Sequence, residues 1–361
     1  MIIQRTVRAL AVAGTSAVVV LAGVPVSAAV PPVRTIAAEL DGPMGLDVLH
    51  ARRALVAESV SGKVTSIDLS TGAKTALISG LARPAGVTSW FGKIFVALGV
   101  PGPGEPAGPK PTFPPASILK ADKHGRYVRV HADLMAYELK HNPDGQRQFA
   151  PDGKPYDALS NPFSVLGTPW GILVADGGAN AVLSVDPKSG KVRTFFVPPN
   201  PKTPECLAPG AQANPGTVGC DAVPTGIAVF ENDVYVSTLG GEKPGAATIY
   251  KLDGRTGETV KSWTGFTSLT GIAVSPQGTV YVSEVLHGAP AGNGPPPPGF
   301  PANVGRLTRI AGDTVTHAQV TMPTGVEFHR GRLFASTWSI AAGFKVEHAG
   351  RLVEVPDGAF S

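Results

Sequence analysis

In the stretch VPTGIAVFENDVYVSTLGG, residues 223–241, two short apolar runs flank the polar kink Glu231-Asn232-Asp233, which is the pattern of a β-hairpin. Pro224-Thr225-Gly226 stands in front of it, and the same order recurs along the chain. Pro43-Met44-Gly45 precedes ALVAES, Pro84-Ala85-Gly86 precedes KIFVALG, and Pro162-Phe163-Ser164 precedes GILVADGG. Leu269-Thr270-Gly271 precedes TVYVSEV and Pro323-Thr324-Gly325 precedes RLFASTW. Ser164 and Leu269 depart from the consensus while their flanks keep it.

A third apolar run that ends at a turn follows every hairpin, as in KVTSIDLSTG and TIYKLDGRTG, and five of the six units add a fourth, as in KTALISG and ETVKSWT. With Gly 44 and Pro 35 in the chain, long helices are excluded. Six units of up to four strands predict an all-β, six-bladed β-propeller with blades near 42–82, 83–134, 161–198, 223–266, 268–320 and 322–360. The last unit lacks a fourth strand, and residues 33–40 (VRTIAAEL) supply one, so ring closure by pairing of this segment with the last blade is expected. The glycine of Pro-x-Gly suits the crowded entrance of the innermost strand, where a Cβ has no room.

Ahead of this segment, Arg5 and Arg8 precede an apolar run over residues 9–26 and the small residues Ser27-Ala28-Ala29. This reads as a secretory signal over 1–28, leaving one propeller domain over 30–361. Its loss takes the formal charge from +4 to +2, two arginines and no acid being removed. No later run is long and apolar enough to span a membrane, and no basic cluster marks a nucleic-acid partner. The expected setting is extracellular or the cell envelope, and the expected state is a monomer. Cys206 and Cys220, the only cysteines, share one loop and read as a disulfide.

The segments HADLMAYELKHNPDG with ALSNPFSVL, ILVADGGANAVLSVDP, and CDAVPTGIAVFENDVYVSTLGG with SLTGIAVSPQGTVYVSEV resemble the ScyD/ScyE family of secreted propellers over nearly the whole mature chain. The VADGGANAVLSVD segment also resembles NHL repeats, and the architecture that of SMP-30 and gluconolactonase propellers. The resemblance implies the fold and the extracellular setting, and carries no catalytic residues.

In an up-and-down blade, the 2–3 loops and the blade-to-blade loops share one face of the ring. All long insertions fall there: 99–115, 135–160, 198–222, 240–245, 287–303 and 339–348. Long loops on one side point to a binding face for a small molecule or an extracellular protein; packing alone is the competing account. Alignment of the second strands puts Glu58, Leu98, Asp176, Thr238, Glu284 and Thr337 at one equivalent position, and Thr225, Thr270 and Thr324 lie nearby. Glu58, Asp176 and Glu284 are therefore candidate oxygen ligands for Ca2+ or another divalent cation in the central channel. The five threonines, with Trp338, are candidate ligand contacts, and His287, three residues after Glu284, is the candidate acid–base group. Three functions follow: a secreted binding propeller, a metal-assisted extracellular hydrolase or lyase like the sugar lactonases and NHL lyases, or a cell-envelope scaffold.

Overall fold

The computed structural model describes residues 32–49, 52–100, 112–211, 214–290 and 300–361. The expected signal segment, and the centres of the Pro/Gly-rich loops at 101–111 and 291–299, lie outside the described residues.

Six four-stranded antiparallel sheets form a ring, a six-bladed β-propeller. The first blade runs Pro43–Leu49, Arg53–Glu58, Lys63–Asp68 and Lys74–Ile78; the second Pro84–Trp90, Lys93–Leu98, Ser117–Asp122 and Arg129–Asp133. The third comprises Pro162–Thr168, Gly171–Asp176, Ala181–Val185 and Val192–Phe196, and the fourth Pro224–Phe230, Asp233–Thr238, Ala247–Asp253 and Thr259–Phe266. Leu269–Val274, Val280–Glu284, Arg306–Ala311 and Thr314–Gln319 make the fifth. The sixth has Val326–His329, Arg332–Thr337 and Gly350–Val355 from the C-terminal end of the chain, and its outer strand is Arg34–Leu40. That strand pairs antiparallel with Gly350–Val355 and adds the Arg34–Glu354 ion pair at its outer end.

The apolar core lies between neighbouring blades. Phe95 and Ile118 of the second blade interleave with Val165, Ile172 and Leu183 of the third. At the closure, Ala37, Leu40 and Leu352 pack with Val48, Val56 and Ile67 of the first blade, so the closing strand anchors a core as well as an edge.

The repeated tripeptide has a geometric cause. Its first residue pairs with the last residue of the second strand: Pro43 with Glu58, Pro84 with Leu98, Pro162 with Asp176, Pro224 with Thr238, and Leu269 with Glu284. The register slips just after each of these pairs, a bulge that turns the next residue toward the neighbouring blade. There the backbones nearly touch. A Cβ on Gly45 would lie 2.6 Å from the Ala85 carbonyl oxygen, one on Gly325 2.6 Å from that of Met44, and one on Gly271 2.0 Å from that of Thr324.

Two expectations follow. Gly271→Ala forces two inner strands apart and should cost about 2 kcal/mol or more, read as a lower urea midpoint at unchanged slope. A chain beginning at Asp41 leaves Gly350–Val355 with an open edge and should melt far below the parent or associate on a sizing column; an unchanged melting temperature would show that closure is not what holds the ring.

Candidate functional site

Residues from all six inner strands line an axial cavity of about 230 Å³. Its wall comprises 44–47, 85–88, 163–166, 226–229, 270–274 and 325–328, and nothing from the long insertions. The lining is mostly aliphatic and backbone, with a few polar groups, among them two acids. Asp47 and Glu327 occupy the same place in their blades, the fifth residue of the repeated motif, where the others have Thr88, Leu166, Ala228 and Ala273.

These side chains lace the inner strands together. Glu327 of the sixth blade accepts from the Val48 N–H of the first, Asp47 of the first accepts from the Ser89 N–H of the second, and Thr88 of the second accepts from the Gly167 N–H of the third at 3.3 Å. The inner strands of the first, second and third blades thus each have an amide satisfied by the blade before it, which a buried N–H requires. The two carboxylates are each engaged through one oxygen, Glu327 Oε2 and Asp47 Oδ2. Enclosure within the ring pushes Asp47 up to about 6, against the opposing pull of the Ser89 N–H. It pushes Glu327 well above the usual carboxylate range, and the charge on Asp47 adds to this. Two acids so placed titrate as a pair.

The acids and hydroxyls singled out in the sequence are differently engaged. Glu58, 2 % exposed, accepts from the Asp41 N–H at 2.7 Å and from the Thr65 hydroxyl. Asp176 and Glu284, both 0 % exposed, do the same: Asp176 accepts from Ser160 Oγ and the Asn161 N–H, each at 2.6 Å, and Glu284 from the Thr267 N–H at 3.1 Å and Thr308 Oγ1 at 2.6 Å. All three hold the chain where it enters their own blade. Burial would raise Glu284, but Arg306 at 2.7 Å, together with its other donors, brings it below the usual range; burial raises Asp176. The equivalence read from sequence is therefore a shared structural task. Among the described residues no three His, Cys, Asp or Glu side chains are placed to hold a metal ion, so Glu58, Asp176 and Glu284 do not gather into the channel cation site that their alignment suggested.

Thr225 Oγ1 lies 2.8 Å from the Leu269 carbonyl, Thr270 Oγ1 3.0 Å from that of Pro323, and Thr324 Oγ1 3.0 Å from that of Pro43. These hydroxyls tie the fourth blade to the fifth, the fifth to the sixth, and the sixth to the first. Of the three, only Thr270 also lines the cavity. Thr238 Oγ1 accepts from the Thr248 N–H at 3.0 Å, and Thr337 is buried opposite Arg351 in its sheet. Trp338 packs among the apolar side chains of the loops of the fifth and sixth blades, with Val285, Met322 and Phe344. Burial first, and then the Arg306 charge, lowers His287 below the usual imidazole range, and the residue lies outside the axial cavity.

The long-loop face is tied down in several ways. Cys206 and Cys220 form a disulfide. An eight-residue helix, α1 (Leu134–His141), is capped at its start by Asp133, whose carboxylate accepts from the Ala136 N–H. Asp41, held by Glu58 through its amide, bonds His348 at 2.6 Å through its side chain.

No protein-family model matches the chain, and no curated protein matches it. Solved propellers do. The calcium-binding protein regucalcin of Agrobacterium tumefaciens superposes with a TM-score of 0.53 at 13 % identity, over 90 % of this chain and 93 % of its own. A gluconolactonase of Xanthomonas campestris gives 0.53 at 12 % identity, over 89 % and 88 %. The PQQ-bound aldose sugar dehydrogenase of Streptomyces coelicolor gives 0.53 at 16 %, over 89 % and 96 %. At such identities the likeness is one of fold.

Proposed function

We propose that this protein is an exported binding propeller, of the kind its ScyD/ScyE-like segments suggest, and that it takes up a small molecule in the axial cavity. The observation that carries the reading is the Asp47–Glu327 pair: two ionisable side chains in the wall of a largely apolar enclosure, each bonded to a backbone amide through one oxygen. Apolar walls with a few placed polar groups are what a small-molecule site requires. Two carboxyl groups in the wall favour a ligand rich in hydroxyl or ammonium donors. The Cys206–Cys220 disulfide supports a setting outside the cytoplasm.

A second reading, a hydrolase or lyase, is favoured by the same pair, because a carboxyl pushed to about 6 suits proton transfer near neutrality. A gluconolactonase shares the fold. In that case Asp47 and Glu327 would do the proton transfer, in place of the metal-bound acids expected from the sequence.

The two readings separate in one experiment. Native mass spectrometry against a panel of aldoses, aldonolactones and polyamines should show one molecule bound per chain, and Ala228→Phe, which fills the cavity wall, should abolish it. Turnover of any panel member, lost in Asp47→Asn, would establish the enzyme. Binding that survives Ala228→Phe would place the ligand elsewhere, on the long-loop face.

The pair also predicts a pH dependence. Both folded-state values are raised, so the folded chain holds protons that the unfolded chain has released. That advantage is full below the unfolded value near 4 and is lost as pH rises through the folded value near 6. The melting temperature should therefore fall as pH rises from about 4 through about 6, and Asp47→Asn should remove part of the fall, on the order of 2 kcal/mol. An Asp47→Asn profile parallel to the parent's would show that the pair carries no strain.

A further inference from the structure

On the long-loop face, away from the axial cavity, a second group of acids is packed between helix α1 and the disulfide loop. Asp144 lies within electrostatic reach of Glu138, Asp157 and Asp221, and no described ion pair involves any of the four. Side-chain amides stitch them together. Gln146 donates to Asp221 at 2.6 Å, Gln148 to Glu138 at 2.8 Å, Asn180 to Asp144 at 2.9 Å and Asn214 to Asp157 at 3.1 Å.

The amide network accounts for only some of the oxygens. Glu138 is 3 % exposed, yet its Oε2 has no donor; Asn214 is 4 % exposed, yet its Oδ1 has none; and Asn142 Oδ1, at the α1 C-cap, has none either. Buried acceptors left this way cost about 1–3 kcal/mol each unless something fills the place of the donor. Their side chains are fixed beside the acids, through Gln148, through Asn214 Nδ2 on Asp157, and through Asn142 Nδ2 on the Gln146 carbonyl at 2.9 Å.

We propose that this cluster is a binding site for a hard divalent cation, Ca2+, which takes Glu138 Oε2 and the amide oxygens of Asn142 and Asn214 as ligands while Asp144, Asp157 and Asp221 supply the surrounding negative charge. The donor set is oxygen throughout, which selects Ca2+ over softer metals. No three acids converge there, so neutral amide oxygens complete the shell, a mixture that Ca2+ accepts in its six to eight positions. The three orphan acceptors and the unbalanced charge have one common remedy, a cation. The cation would fix the α1 insertion to the disulfide loop, and hence the third blade's entrance to the fourth's.

Equilibrium dialysis of the EDTA-stripped full chain against radiolabelled CaCl2 at pH 7.5 tests the site. One ion per chain is expected, with a rise in melting temperature of about 4 °C at a hundredfold excess over Kd. Glu138→Gln and Asp144→Asn should each weaken binding at least tenfold; Asp152→Asn, an exposed acid in the same insertion, should not. No bound calcium at 5 mM with the parent chain overturns the proposal, whether or not the variants fold. So does binding that neither substitution at the cluster weakens.

Discussion

The ring depends on how closely its inner strands approach at the axis. Backbone meets backbone at distances that leave no room for a Cβ at Gly45, Gly271 or Gly325. Strands this close, in different sheets, share no ladder, so beyond single backbone bonds such as that of the Gly325 N–H to the Met44 carbonyl at 2.9 Å their polar groups take partners from side chains. Two sets of side chains meet that need on different arcs. Threonine hydroxyls at the second motif position serve the junctions from the fourth blade round to the first. Fifth-position oxygens serve those from the sixth blade round to the third. The remaining junction, third to fourth, uses Asn180, whose amide oxygen accepts from the Val223 N–H at 3.1 Å, together with the Phe196–Tyr250 ring contact at 5.2 Å.

This lacing explains why acids sit in the axial wall at all. A threonine serves the same purpose at Thr88 without the cost of enclosing charge. At Asp47 and Glu327 carboxylates take the task in adjacent blades, where each raises the cost of ionising the other. A purely structural tie would be met more cheaply by a neutral hydroxyl, and the excess cost is what marks this pair out from the acids that bind loop amides.

The fold was legible because the constraint repeats: the same crowding acts on every blade and leaves Pro-x-Gly four times, with single departures at Ser164 and Leu269 in the other two copies. The closing strand was legible as well, because a missing fourth strand at one end of the chain matched a spare apolar segment at the other. The site was hidden because it does not repeat. At the fifth motif position the residues are Asp47, Thr88, Leu166, Ala228, Ala273 and Glu327, so periodicity gives no cue, and Asp47 and Glu327 are separated by nearly the full length of the propeller. Ring closure alone makes them neighbours. The one available cue was an acid in each of two apolar inner strands, at matching places in the first and last units. Conversely, Glu58, Asp176 and Glu284 stood out because they do align, and alignment signalled a recurrent structural need, the amide of the entering loop.

The same logic bears on the long-loop face. Its insertions differ from blade to blade, so they are held by separate solutions: a disulfide within one loop at Cys206–Cys220, an apolar pad around Val285, Met322 and Phe344, and the oxygen-rich cluster around Glu138. The first two are complete as covalent bond and packed surface. The cluster is incomplete in a definite sense, since it gathers negative charge and leaves buried acceptor atoms without donors. A loop serving only as packing would be expected to bury carbon there, as the pad does. Retaining four acids instead ties the geometry of these loops to whatever neutralises them, and so makes the order of the face around the channel depend on its solution conditions rather than on the chain alone.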